Sequence, residues 1–402
     1  MRFFLLAAAA VSAAVFSGCA VSAPGGCCKC GMTAAFDWQK NLFLPEKIYA
    51  VPGVECNIYF KNIFLAVNHA NFVFDAECAS GAQERSRWTF TPAEEDAGKT
   101  IPFKLTVFDQ YGKRVAEAAS TICVAKSDAG KDKTVSILMI GDSLTSATEY
   151  PRQLKRRCTG SPNLVMVGTH GGGGRVPANG VAHEGYGGWK FRDFLHRNYD
   201  PAKLPPKRRY GAKSKFLFEK NGKPEFDFAR YLQTYNDGKV PDVITIQLGV
   251  NDVFRATEDN LDKYIADILK NADALISGLR AAAPRAVIGI GYVTGGANQD
   301  AFAVNYKSGQ TSWGYRRNHF RLNQTMAEHF RKYNDPKLVM IPSNINLDTD
   351  NNFPVKTRKA AAWSSQNVVR QNNGVHPDYY GYRQMGDSYY AWLKNIMPLI
   401  TE

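Results

Sequence analysis

Four short clusters hold the residues whose types could do covalent chemistry. Gly141-Asp142-Ser143 follows the apolar run VSILMI (135–140). A glycine there permits a sharp turn. A serine opening the next helix would then carry its hydroxyl beside backbone N–H groups able to hold a developing oxyanion. Asp and Ser are also good helix caps, so this cluster alone reads as a cap too. Gly249-Val250-Asn251-Asp252 closes a second apolar run, DVITIQLG (242–249); Asn251 could donate its amide to the same oxyanion, or Asn251 or Asp252 could merely cap a turn. Between them, Gly187-Gly188 precedes Trp189 in HEGYGGWKFRDF (183–194). Glycine frees a backbone N–H to approach a ligand, and Trp189 is either a pocket wall or packing beneath the loop. Near the end, QNNGVHPDYYGYRQMG (371–386) presents His376 on a loop stiffened by Pro377, just before a final helix.

Asn373 stands three residues before His376, where a histidine base would want a carboxylate. Its amide oxygen could accept from Nδ1–H and hold the useful tautomer, but it lacks the full negative charge that stabilises an imidazolium. Asp378, two residues beyond, could supply a charge or cap the final helix; Pro377 biases His376 to extended backbone.

These clusters need a scaffold that gathers them. Apolar runs without alternation lie at 135–140, 164–168, 242–249, 286–293 and 337–342, with helix-like stretches between. The clearest stretch is 260–284, where Leu261, Ile265, Ile268, Leu269, Ala272, Leu275 and Leu279 keep the helical period. Unbroken strands alternating with helices predict a parallel sheet covered on both faces, with ligands beyond the carboxyl ends of its strands. Residues 37–125 differ. Short alternating runs separated by turn signals predict a small antiparallel β-sandwich, and the polar stretch 126–134 reads as a linker to a second domain, 135–402.

In order and spacing the four clusters resemble the SGNH, or GDSL-type, hydrolase family: Gly141-Asp142-Ser143, Gly188, Gly249-Val250-Asn251-Asp252 and Asn373-Gly374-Val375-His376, over about residues 134–400. The resemblance implies a flavodoxin-like three-layer α/β/α sandwich, here preceded by an immunoglobulin-like one, and ester hydrolysis without a metal or organic cofactor. It implies Ser143 as nucleophile and His376 as base. The N–H groups of Ser143 and Gly188 and the Asn251 side chain would form the oxyanion hole. The chain departs from the family at Asn373, where the pattern has Asp. Trp189 and Asp142, beside these groups, are candidate substrate contacts.

The N-terminus bounds the setting. One positive charge and an apolar run ending in VFSGC read as a secretory leader (1–18). That ending resembles a bacterial lipobox, so Cys19 is expected to be lipidated and to tether the tail 19–36 to a membrane in the cell envelope. Cys27, Cys28 and Cys30 have no second Cys/His pair at metal-finger spacing. Cys56, Cys78 and Cys123 would allow one disulfide in an oxidising compartment. The net charge is +13, with its excess in residues 126–402 and its densest stretch, KLPPKRRYGAKSKFLFEKNGK (203–223), read as a solvated insertion loop. No nucleic-acid recognition motif accompanies it. The expected activity is removal of O-acetyl groups from a poly- or oligosaccharide. A lipase or thioesterase of the same family and a non-catalytic glycan-binding lipoprotein are the alternatives.

Overall fold

The computed structural model describes residues 36–304 and 308–401; the expected leader, Cys19 and the cysteines at 27, 28 and 30 lie outside them. The alternating runs form seven strands: β1 (Lys47–Ala50), β2 (Cys56–Tyr59), β3 (Phe72–Cys78), β4 (Ala82–Gln83), β5 (Arg87–Phe90), β6 (Thr100–Asp109) and β7 (Arg114–Val124). Two sheets result, ordered β1-β7-β6-β3 and β2-β5-β4, antiparallel except for the β1–β7 pair. Phe103, Leu105 and Val107 point inward at alternate positions of β6 and meet Ile58, Trp88 and Ile122 in one core. The arrangement is an immunoglobulin-like sandwich.

Two details differ from the expected pattern. The run 55–67 does not stay extended: α1 (Phe60–Ile63) interrupts it, because Phe60, Ile63 and Phe64 are all buried and a helical turn brings i, i+3 and i+4 to one face. Cys56, Cys78 and Cys123 are free thiols. Cys78 and Cys123 sit on β3 and β7, which flank β6 and are therefore roughly 9–10 Å apart, and Cys56 belongs to the other sheet; neither separation fits the Cα spacing of a disulfide.

After residue 126 the apolar runs become β8 (Thr134–Gly141), β9 (Asn163–Val167), β10 (Glu184–Gly185), β13 (Val243–Gln247), β14 (Val287–Gly291) and β15 (Leu338–Ile341), with an antiparallel ribbon, β11 (Leu217–Lys220) and β12 (Lys223–Phe226), between β10 and β13. The sheet order is β10-β8-β13-β14-β15, with β9 also on β8, and every pair is parallel. β13 and β14 are buried along their whole length, which is why their residues do not alternate. Short helices α2 (Ser143–Ser146), α4 (Phe191–His196), α5 (Phe228–Tyr235), α6 (Val250–Val253) and α8 (Gln299–Val304) accompany longer α3 (Glu149–Arg157), α7 (Leu261–Ala282), α9 (Ser312–Arg331) and α10 (Tyr379–Thr401). α3 packs on α10, and α7 on α4, α5 and α9, giving the three layers of a flavodoxin-like fold. The apolar stripe of α7, from Leu261 to Leu279, faces the core; each buried Leu or Ile there contributes about 1.5–3 kcal/mol.

From Asp37 onward the two folds share one compact unit. Ile345, from the segment after β15, is buried in the sandwich core, and its carbonyl accepts the Tyr59 N–H at 3.0 Å. Asn346 Oδ1 accepts the Asn57 N–H at 2.9 Å, and Asn62 donates to the carbonyls of Asn344 and Leu347 at 2.8 Å each. The stretch 126–134 is tied down as well, since Lys394 Nζ donates to the carbonyls of Ser127 and Ala129.

A second antiparallel ribbon, β16 (Val355–Lys359) and β17 (Asn367–Gln371), leads directly into the loop that carries His376.

Candidate active site

The site forms where β8 and β13 end beside each other. At Gly141 a Cβ would fall 1.9 Å from Thr145 Oγ1, so only glycine lets the chain turn this tightly into α2. Asp142 starts that turn: its Oδ1 accepts the Leu144 N–H at 2.9 Å. Ser143, the first residue of the turn, is thereby held at the mouth of the cleft.

β10 pairs with the last two residues of β8, and the Tyr186 N–H donates to Gly141 O at 2.9 Å. This brings the loop 186–189 alongside Ser143. The loop closes with a Trp189 N–H to Tyr186 O bond of 3.2 Å and has Gly188 at φ +81°. A side chain at Gly188 would meet no atom, so its backbone conformation and not space demands glycine.

Asn251 joins three of the clusters. Its amide donates to Trp189 O at 3.0 Å and to Asp142 Oδ2 at 3.3 Å. The neighbouring Asp252 accepts the Phe191 N–H at 3.2 Å and so fixes the start of α4. Asp142 and Asp252 are both buried, and burial pushes each carboxyl up to about 7. Asp142 is fully enclosed and engaged by Leu144 and Asn251, so it acts beneath the site, away from where a substrate would sit. Trp189 is also buried, stacked on Tyr186 with centroids 4.0 Å apart and edge-on to Phe194, though it borders the cleft.

His376 approaches from the far end of the chain. Its Nε2 lies 2.8 Å from Ser143 Oγ. Burial lowers its imidazole from 6.5 to about 4, so the ring is neutral at pH 7 and able to accept a proton. Asn373 Oδ1 accepts two backbone N–H groups, from Val375 at 3.1 Å and His376 at 2.9 Å, and shapes the loop that aims the histidine. Asp378 caps α10, its Oδ1 accepting from Tyr380 and Gly381.

The cleft has a volume of about 530 Å³. Ser143, Gly188, Asn251 and His376 lie along it together, with Trp189 at its wall. Several of its residues are not evident from motifs: Tyr186, Arg197, Tyr210, Phe254 and Arg255 line it, and so does Arg208, from the stretch expected to be a solvated loop. That stretch is anchored by Ala212 and Phe216, which are buried, while its charged side chains, Lys215 apart, stay exposed.

Beneath the 186–189 loop sits Glu184, completely buried. Its carboxyl oxygens accept from the Thr169 N–H at 2.6 Å, Tyr231 OH at 2.8 Å, Thr169 Oγ1 at 3.2 Å and Tyr186 OH. His170 Nε2 contacts Gly185 O at 2.8 Å, and His183 Nδ1 accepts the Gly185 N–H at 3.1 Å. The adjacent His183-Glu184 pair, polar residues on a segment otherwise apolar and glycine-rich, is the sequence signal that could have disclosed this support.

A serine oxygen in contact with a neutral imidazole, facing a glycine loop and an asparagine amide, can carry out acyl transfer. The fold and this constellation define an SGNH-type ester hydrolase. The family model for GDSL-like lipase/acylhydrolase matches residues 137–388, and the chain belongs to that family. No match was found among curated proteins. Among solved structures, the chain is similar to a family 3 carbohydrate esterase from Talaromyces cellulolyticus (16% identity, 66% of this chain and 98% of that one, TM-score 0.40). It is similar also to a family 3 carbohydrate esterase of Clostridium thermocellum (16%, 66% and 98%, TM-score 0.39). A third similar structure is a carbohydrate acetylesterase family member from Sinorhizobium meliloti (15%, 66% and 99%, TM-score 0.37).

Proposed function

We propose that this ester hydrolase removes O-acetyl groups from carbohydrate, with Ser143 as nucleophile and His376 as base. The observation that carries the reading is the 2.8 Å contact between His376 Nε2 and Ser143 Oγ. His376 takes the hydroxyl proton as Ser143 Oγ bonds to the acyl carbon. The carbonyl oxygen becomes an oxyanion, held by the N–H groups of Ser143 and Gly188 and by the Asn251 amide, which gives up its longer 3.3 Å bond to Asp142 to do so. The ester C–O bond then breaks, and His376 gives its proton to the departing sugar hydroxyl. Water attacks the acyl-enzyme in the same way, with His376 again as base, and frees acetate and Ser143. Asn373 orders the histidine loop without adding a charge.

The short acyl group is supported by the cleft's lining. Val250 and Val375 are its aliphatic side chains; the rest is aromatic, glycine and polar. A long acyl chain would want a continuous apolar channel. The open, polar cleft suits a hydroxyl-rich partner instead.

The test is acetate release from acetylated xylo-oligosaccharides by purified protein. Ser143→Ala should lower it by at least about 10⁴-fold; an unchanged rate overturns the reading. Asn373 at the acid's position favours one competitor, a protein that binds glycan without cleaving it. That competitor predicts binding with no Ser143-dependent acetate at all.

A further inference from the structure

We propose that the cleft selects an ester on an anionic sugar, one bearing a carboxylate or sulfate close to the acetylated hydroxyl. This deepens the acetylesterase reading and rests on it. Three arginines line the cleft, Arg197, Arg208 and Arg255, and among the described residues no aspartate or glutamate does. Arg197 is already matched. It pairs with Asp193 at 3.3 Å, donates through Nε to Gly211 O at 2.8 Å and lies 5.4 Å from the Trp189 ring.

Arg208 and Arg255 are different. Both are exposed at the cleft, and among the described residues neither guanidinium has an ion-pair or hydrogen-bond partner. They come from unrelated segments, Arg208 from the helical turn Pro206–Gly211 in the basic stretch and Arg255 from just beyond the Asn251 turn. Two uncompensated cations converging on one partly enclosed, carboxylate-free cleft give it a positive potential that a neutral sugar leaves unused. A guanidinium matches the geometry of a carboxylate or sulfate and can bind it through two parallel hydrogen bonds. The anion would arrive on the substrate itself, since the acetyl group is neutral.

The experiment compares matched monosaccharide esters: methyl 4-O-acetyl-glucoside, its 6-carboxylate analogue (the glucuronoside) and its 6-sulfate, in which the anion neighbours the ester. Acetate release is followed as kcat/KM for wild type and for the Arg208→Gln/Arg255→Gln double variant. At least one anionic ester should be preferred over the neutral one by about 5- to 10-fold at low ionic strength, with the preference shrinking as salt is added. Whichever anion wins identifies the group. In the double variant the anionic-to-neutral ratio should fall to near one, whatever happens to the absolute rates. Equal rates for all three esters in wild type, or a preference that survives the double substitution, overturns the inference and leaves the esterase reading intact. Hydrolysis of all three that persists in Ser143→Ala removes the esterase reading instead.

Discussion

His376 Nε2 and Ser143 Oγ lie 2.8 Å apart although 233 positions separate the two residues. The serine comes from a one-turn helix after the first strand of the parallel sheet, and the histidine from a loop before the last helix. Nothing local holds them together; their contact is the product of the whole sheet and of α10 packing on α3.

The histidine's environment predicts an unusual pH profile. Burial lowers the imidazole to about 4, so the basic form persists well below neutrality. The acid limb of kcat/KM should therefore have its midpoint near pH 4–5 and not near 6.5. A midpoint at 6.5 or above, with a substrate that does not itself titrate, would mean that an anion stabilises the imidazolium or that Asp142, raised to about 7 and bonded to Asn251, governs the limb instead.

Asn373 gives that profile a lever. An aspartate at this position can still accept from the Val375 and His376 N–H groups, so the loop should keep its shape. The added negative charge favours imidazolium and raises the histidine pKa. Asn373→Asp should move the acid limb upward by about 1–2 pH units and raise kcat at pH 8 by about tenfold. A fall in kcat, with the limb unmoved, would assign asparagine a role that a carboxylate cannot fill.

Glu184 is a positioning residue for the glycine loop. Replacing it with glutamine puts an amide N–H₂ where one carboxyl oxygen now accepts from buried donors. Glu184→Gln should lower kcat by about tenfold, because the loop that places Gly188 is loosened, with a smaller change in KM arising through Tyr186, the cleft-lining residue whose hydroxyl bonds Glu184. Loss of thermal stability alone, with kcat unchanged, would reduce Glu184 to a structural role.

Asp142 and Asp252 predict a pH-dependent stability. Each carboxyl rises from 3.8 to about 7 on burial, and the charge of Asp252 helps to raise Asp142. The folded state then binds more protons than the unfolded one between about pH 4 and 7, so their contribution is intact below 4 and is lost as pH rises through 7. Asp252→Asn should gain Tm relative to wild type as pH increases from 4 to 8, by roughly 2–4 °C for each kcal/mol recovered. A difference that is flat across this range contradicts it.

Much of this arrangement was legible in the chain. The unbroken apolar runs marked strands buried on both faces, and the period of Leu261 to Leu279 marked α7. The four clusters were legible because each ends or begins such an element, and the sheet brings their ends together. Other features depend on tertiary packing and leave no periodic signal. Phe60 to Phe64 reads as strand until the sandwich core demands a helical turn. Arg208 reads as part of a solvated loop and is exposed, but the buried Phe216 anchors its segment and Tyr210 and Arg208 line the cleft. The burial of Asp142, and hence its place beneath the site, follows from Asn251, more than a hundred positions away.

The central claim, that His376 activates Ser143 for attack on an acyl centre, is tested most directly by covalent labelling with a fluorophosphonate. Peptide mass mapping should place the label on Ser143 in the wild-type protein, with the labelling rate falling by about 10³-fold or more in His376→Ala. Label on another residue, or an equal rate in the variant, would contradict the account.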